Sequence, residues 1–235
     1  MRLHFTLSPN TEPVSFAYQH KLTGVFHKWL EQNELHDKIS LYSLAWLDGS
    51  KRARNKLEFQ NGAKWFVSFF EDKYVEQLVE GALHDPEMFC GMRVTEIKQQ
   101  RTPDFPEQYK FKVASPVFAK GKQLNGKPPH HYLWNEPAAD EILTKTLIHK
   151  MEVANKDAET EMFTAEDKQT KISFDREFAY PKTKLVRIKE TDHKVSICPI
   201  IVEGTTKAVQ FAWNVGVGNS TGSCFGSLKE SLENA

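Results

Sequence analysis

The chain has 235 residues, 40% hydrophobic and 26% charged, with a formal net charge of zero. This ordinary soluble composition suits one domain or two small ones, and it excludes a uniformly basic coat for nucleic acid while leaving room for a local basic stripe. Three cysteines with no CxxC spacing argue against a disulfide framework and for a reduced, cytoplasmic setting. No apolar run reaches the roughly 18 residues of a membrane span, and the first ten residues lack the apolar core of a signal peptide.

Leu3, Phe5 and Leu7 alternate with Arg2, His4 and Thr6, which predicts a first strand ended by Pro9 to Pro13. Leu22, Val25, Phe26, Trp29 and Leu30 then recur at helical spacing. Ser40 to Leu47 reads as a strand closed by Asp48-Gly49, and Lys64 to Phe70 as another. Asp72 is placed to cap a second helix with Val75, Leu78, Val79 and Leu83 on its apolar stripe, and Met88 to Gln99 is strand-like. The order β-α-β-β-α-β is the ferredoxin-like pattern. Pro103 and Pro106 suggest a boundary.

The same order recurs beyond it. Tyr109, Phe111 and Val113 alternate with lysines, and a helix starts near Pro137 with Leu143, Leu147, Met151 and Ala154 as its stripe. Lys156 to Lys171 is polar and reads as a frayed helix end or a loop. Lys184 to Lys189 and Val195 to Val202 read as a hairpin turning at Thr191-Asp192. Thr205 to Val215 is a helix by topology, although its apolar residues alternate, and Cys224 to Lys229 is the last strand. The fold class is therefore α+β, with two tandem ferredoxin-like (RNA-recognition-motif-like) domains over residues 1–105 and 106–235.

Gly216 to Gly226 holds four of the chain's twelve glycines, Gly216, Gly218, Gly222 and Gly226. Glycine is selected where φ must be positive or where a partner leaves no room for a Cβ, so the loop suggests backbone laid against a ligand. Its GxGxxxG spacing and late position do not fit a dinucleotide fingerprint, and the absence of GK[ST] excludes a P-loop. Exposed backbone N–H groups would suit phosphate oxygens; a loose helix-to-strand connection is the alternative.

Gly216-Val217-Gly218, then NSTGS, then Cys224-Phe225-Gly226 resembles the glycine-rich signature of the CRISPR-associated repeat-processing endoribonucleases, the Cas six family. Cys224 stands at a glycine position of that pattern, and Gly222 is an additional glycine. YQHKLTGVFHKWL (Tyr18 to Leu30), HDKISLYSL (His36 to Leu44) and the segment from His131 to Ala154 resemble the family's first helix, catalytic segment and second-half helix. The resemblance implies metal-independent cleavage of CRISPR repeat RNA, single-stranded or stem-loop, with no cofactor. The 2′-hydroxyl attacks the adjacent phosphate and leaves a 2′,3′-cyclic phosphate. An effector complex and a homodimer are further partners it admits, and a catalytically inactive repeat-RNA-binding protein of the same fold is the alternative.

Such a reaction needs a base, an acid and a cation. The resemblance places a catalytic histidine at His36 and a lysine at Lys38, which share a side if the segment is extended. His27 lies roughly 130° from the centre of the first helix's apolar stripe and would complete an acid/base pair; His20 is a weaker candidate. Each also fits an ordinary solvated side chain. His130-His131 reads as the start of a loop, and nothing in the spacing suggests a metal centre. Lys51, Arg52, Arg54 and Lys56 form a dense basic hairpin-like segment, and Lys110, Lys112, Lys120, Lys122 and Lys127 follow the boundary. Lys184 and Arg187 lie in the late hairpin. Together they are candidates for a groove that tracks phosphates.

Overall fold

The alternation at the start of the chain becomes β1 (Arg2–Leu7), with Leu3, Phe5 and Leu7 buried. In the computed structural model, which describes residues 1–31, 35, 38–122, 128–158 and 160–231, the first half continues as follows. After β1 come α1 (Gln19–Leu30), β2 (Tyr42–Leu44), β3 (Lys51–Ala53), β4 (Lys56–Glu58), β5 (Ala63–Phe69), α2 (Lys73–His84) and β6 (Val94–Gln100). The antiparallel sheet runs β2-β5-β1-β6. Leu22, Phe26 and Trp29 of α1 and Val75, Leu78 and Ala82 of α2 bury against the inward residues of that sheet.

The second half has β7 (Gln108–Val113), β8 (Ala119–Lys120), β9 (His131–Tyr132), α3 (Pro137–Asp157), β10 (Lys171–Phe174), β11 (Lys182–Ile188), β12 (Thr191–Ile197), β13 (Ile200–Glu203), α4 (Thr206–Val215) and β14 (Leu228–Lys229). Its sheet runs β10-β13-β7-β14, the same order of first, second, third and fourth strands as in the first half. Both halves are ferredoxin-like. Each also carries an extra two-stranded hairpin at one topological place, between its second and third sheet strands: β3–β4 in the first half and β11–β12 in the second.

Several expectations need correction. The hairpin read as two sheet strands is that extra element, and it turns at Lys189-Glu190, where Lys189 takes φ 52°. Cys198-Pro199 separates β12 from β13, and the second sheet strand is β10, which starts at Lys171, the last residue of the polar stretch, and runs through residues to which the sequence reading gave no element. The strand expected from Met88 begins at Val94. The last strand is only Leu228–Lys229, because Cys224 and Gly226 adopt positive φ. Asp72 sits at the N-cap of α2 without a side-chain capping bond, and Leu83 is 69% exposed.

Thr205 caps α4 by accepting from the Ala208 N–H, and the helix is buried on nearly every side. Within the helix only Thr206, Lys207 and Gln210 are not buried, so its buried side is wide enough to take in Val209, Phe211, Trp213 and Val215 together, which is why they alternate as in a strand. What covers it includes the other half. Arg2, read as the polar face of β1, is 2% exposed. Its Nε donates to Ser68 Oγ (2.6 Å) and its Nη2 to the Leu228 carbonyl (2.8 Å), while the guanidinium lies 3.4 Å from the centre of the Trp213 ring. A planar, multiply bonded guanidinium suits such a buried joint better than an ammonium would. Among the described residues, no helix is long and apolar enough to cross a membrane.

Candidate active site

From the end of α4 the chain runs back between the two halves before entering β14. Gly216, Gly218, Gly222 and Gly226 are all buried in this stretch. Gly226 has φ 62°, and a Cβ there would stand 1.9 Å from the Val217 carbonyl oxygen. A Cβ on Gly222 would stand 2.4 Å from Ser40 Oγ and 2.7 Å from the Tyr42 hydroxyl. The partner that excludes side chains at these glycines is the protein itself.

Five of the loop's N–H groups are spent within the protein: Gly216 on the Ala212 carbonyl (2.9 Å), Val217 on that of Gly226 (2.9 Å), Asn219 on that of Phe118 (2.8 Å), Ser223 on that of Ser220 (2.8 Å) and Gly226 on that of Pro116 (2.8 Å). The face the loop leaves accessible is Asn219, Ser220 and Ser223. Gly226→Ala should therefore destabilise the fold by about 3 kcal/mol, combining left-handed strain with a clash against backbone. Urea unfolding measures it, and a wild-type midpoint would refute this packing.

The loop reaches α1 through Cys224. Its thiol donates to the Gln19 carbonyl (3.7 Å) and lies 3.9 Å from Thr23 Oγ1. Burial pushes that thiol up to about 12, so it stays neutral. Cys224 thus carries its Cβ at φ 67° where the family pattern has glycine, and Gly222 is needed separately for Ser40 and Tyr42.

His27 is one helical turn beyond Thr23 on the same face of α1, half-buried, with its ring 5.1 Å from that of Phe26. Phe26 in turn stacks on Tyr42 at 4.7 Å. Lys38 is exposed, two residues before Ser40. Burial raises the Tyr42 phenol, opposed by a hydrogen bond with Ser40. His20 is exposed, and His36 lies outside the described residues. The loop, the His27 helix and the segment from Ser40 to Tyr42 are therefore packed on one another.

Lys150 is the residue the sequence reading passed over. It follows Leu143 by seven positions, on the apolar stripe of α3 itself, and that placement was the available signal. Its Nζ is buried beneath the loop and donates to the Val215 carbonyl and to Thr221 Oγ1, each at 2.9 Å. Thr221 Oγ1 donates onward to the Tyr42 carbonyl (2.9 Å). Burial lowers the amine to about 7.

The basic candidates separate. Lys51, Arg52, Arg54 and Lys56 are exposed on β3–β4, which Leu57 anchors to Val14. Lys184 lies 4.4 Å from the centre of the Trp46 ring, whose indole N–H donates to the Cys224 carbonyl (2.8 Å), so β11–β12 meets the glycine loop. Burial lowers the Lys184 amine. Arg187 faces Glu190 (3.3 Å) and Asp192 (3.9 Å). Lys110 pairs with Asp175 (2.9 Å), and Lys127 lies outside the described residues. A cavity of about 820 Å³ between the sheets is lined by residues of both charges, with Arg2, His4, Lys64, Glu96 and Glu230 among them. Among the described residues, no three His, Cys, Asp or Glu side chains group as metal ligands.

Residues 98–230 match the family model described as CRISPR associated protein Cas6, C-terminal. The whole fold is similar to solved structures at low identity. One, of a Cas6-related gene product from Pyrococcus furiosus, has a TM-score of 0.84 at 17% identity over 99% of each chain. Another, described as CRISPR associated protein Cas6, has a TM-score of 0.77 at 19% identity over 98% of this chain and 99% of that one. A third, described as a RAMP protein binding different RNA substrates, has a TM-score of 0.82 at 17% identity over 97% and 98%. No curated protein matches the chain.

Proposed function

The chain belongs to the Cas6 family of CRISPR-associated proteins, which process CRISPR repeat RNA, and from that membership we propose that it is a metal-independent endoribonuclease cutting the repeat in the precursor transcript. The observation that carries this reading is the packing of the glycine loop against both the His27 helix and the strand segment that follows Lys38. A scissile phosphate held at that junction would meet His27, with Lys38 two residues before Ser40.

In this mechanism one histidine of the His36/His27 pair takes the proton of the ribose 2′-hydroxyl as it attacks the adjacent phosphorus. The other protonates the departing 5′-oxygen, and Lys38 balances the charge that develops on the phosphorane oxygens. The products are a 2′,3′-cyclic phosphate and a 5′-hydroxyl. The loop contributes by fixing the Ser40–Tyr42 backbone and presenting Asn219 and Ser220. Lys184 and the β3–β4 cations Lys51, Arg52, Arg54 and Lys56 supply phosphate contacts along the RNA.

Incubating the protein with its own repeat RNA in EDTA and mapping the product ends tests the reading. One cut at a fixed position with a cyclic phosphate end is expected. Tight binding without a cut would replace it with the inactive RNA-binding alternative.

A further inference from the structure

Two half-buried histidines stand at the outer edge of the glycine loop. His131 on β9 and His193 on β12 lie with their rings nearly parallel, 13° apart in plane and 6.2 Å between centres. Both rings meet Phe118 edge-on at 4.9 Å, and His193 also packs on Phe225 of the loop at 5.4 Å. The aromatic floor is therefore part loop and part scaffold.

The hydrogen bonds fix which nitrogen of each ring does what. His131 Nδ1 lies 3.2 Å from the Lys194 backbone N–H. A backbone N–H can only donate, so Nδ1 must be an acceptor and the ring's proton sits on Nε2. His193 Nδ1 lies 3.1 Å from the Thr191 carbonyl. A carbonyl can only accept, so here Nδ1 carries the proton and Nε2 offers its lone pair. His131 is thus fixed as a neutral Nε2–H donor, while His193 becomes a second such donor once it takes a proton.

The side chains that act on His131 are basic. Burial lowers His131 first, and the neighbouring basic side chains of His193, Lys120, His130 and Lys194 act in the same direction. The carboxylates on the neighbouring elements are already engaged. Glu136 accepts from His130 (2.8 Å) and from the Leu133 N–H (2.7 Å), and Asp192 faces Arg187 across the hairpin (3.9 Å). On β11, Val186 stands opposite His193 and Lys184 lies over Trp46. Among the described residues, neither Lys120 nor Lys194 makes an ion pair. The Lys120 N–H is bound to Asn219 Oδ1 at 2.8 Å, which ties this patch directly to the accessible face of the loop.

We propose that His131 and His193, flanked by Lys120 and Lys194, form a phosphodiester-binding patch of the repeat-RNA site, in which His193 takes up a proton as RNA docks. The proposal rests on the RNA-processing reading above. The two Nε2–H groups would bind phosphate oxygens, and the anion favours the protonated imidazole, so binding weakens as pH rises through the range in which histidine discharges.

The test is RNA affinity at pH 6 and pH 8 for wild type and His193→Gln, with the imidazole nitrogens of the labelled wild-type protein followed by NMR as repeat RNA is added. Expected is a loss of about tenfold for His193→Gln at pH 6, much less at pH 8, and movement of the His193 Nε2 resonance with RNA. The wild-type NMR titration needs no variant to fold. RNA binding with unmoved imidazole resonances and an unaffected His193→Gln protein would overturn the patch alone. Failure of the wild-type protein to bind repeat RNA at either pH would overturn the functional reading and the patch with it.

Discussion

His36→Ala is expected to bind repeat RNA as the wild-type protein does and to cleave it at least about a hundredfold more slowly. General acid/base groups contribute roughly 10²–10⁴ in rate, so a hundredfold loss, about 2.7 kcal/mol of transition-state stabilisation, is the lower end of that range. Single-turnover cleavage at saturating protein separates the chemical step from binding. The pH–rate profile adds a readout that mere displacement of a loop would not give. Where two histidines share the proton transfers the profile is bell-shaped, and loss of His36 removes one limb. His27→Ala should remove the other limb, and Lys38→Ala should lower the plateau without moving either. Unchanged cleavage in His36→Ala would take that residue out of the site and shift the role to the groups packed around the loop.

The first half was legible because its helices cover only one face of its sheet. The α1 stripe of Leu22, Phe26 and Trp29 and the inward set of β1 read off directly as one-sided burial. The other face of β1 did not. Alternation says which side chains share a face, but it is silent on whether a second domain will cover that face, and so Arg2 looked like surface. The same limit applied to α4, whose burial by both halves widened its apolar side until Val209, Phe211, Trp213 and Val215 alternated as in a strand.

The demand for glycine at Gly222 and Gly226 was plain in the sequence. The identity of the partner was not, because a Cβ is excluded equally by a ligand or by the chain's own carbonyls. The His131 and His193 pairing was hidden for a simpler reason: 62 positions separate two residues that only the extra hairpin brings together.

Lys150→Met should abolish a pH dependence of stability that the wild-type protein carries. Lysine in an unfolded chain titrates near 10.5, while burial holds the Lys150 amine at about 7. Between those values the unfolded chain binds the extra proton, so stability rises with pH across the window; below about 7 both states are protonated and the full cost of burying the charge is present. The hydrogen bonding agrees with a group that sheds its charge easily. An ammonium has three donors and only Val215 O and Thr221 Oγ1 accept, whereas the neutral amine's two N–H groups match them.

The useful interval is pH 7 to 8.5, because the buried thiols of Cys198 and Cys224, raised to about 11 and about 12, act in the opposite direction once unfolded cysteines begin to ionise. Over that interval the wild type should gain about 2 kcal/mol relative to Lys150→Met, from about 1.4 kcal/mol per pH unit. Urea unfolding of both proteins at the two pH values measures it. Parallel changes would mean that Lys150 keeps its charge in the folded protein and that an anion or water compensates it. A lost slope would identify a buried amine under the glycine loop, tightening the joint between α4, Thr221 and Tyr42 as the solution becomes more basic, in the direction opposite to that expected for RNA docking at His193.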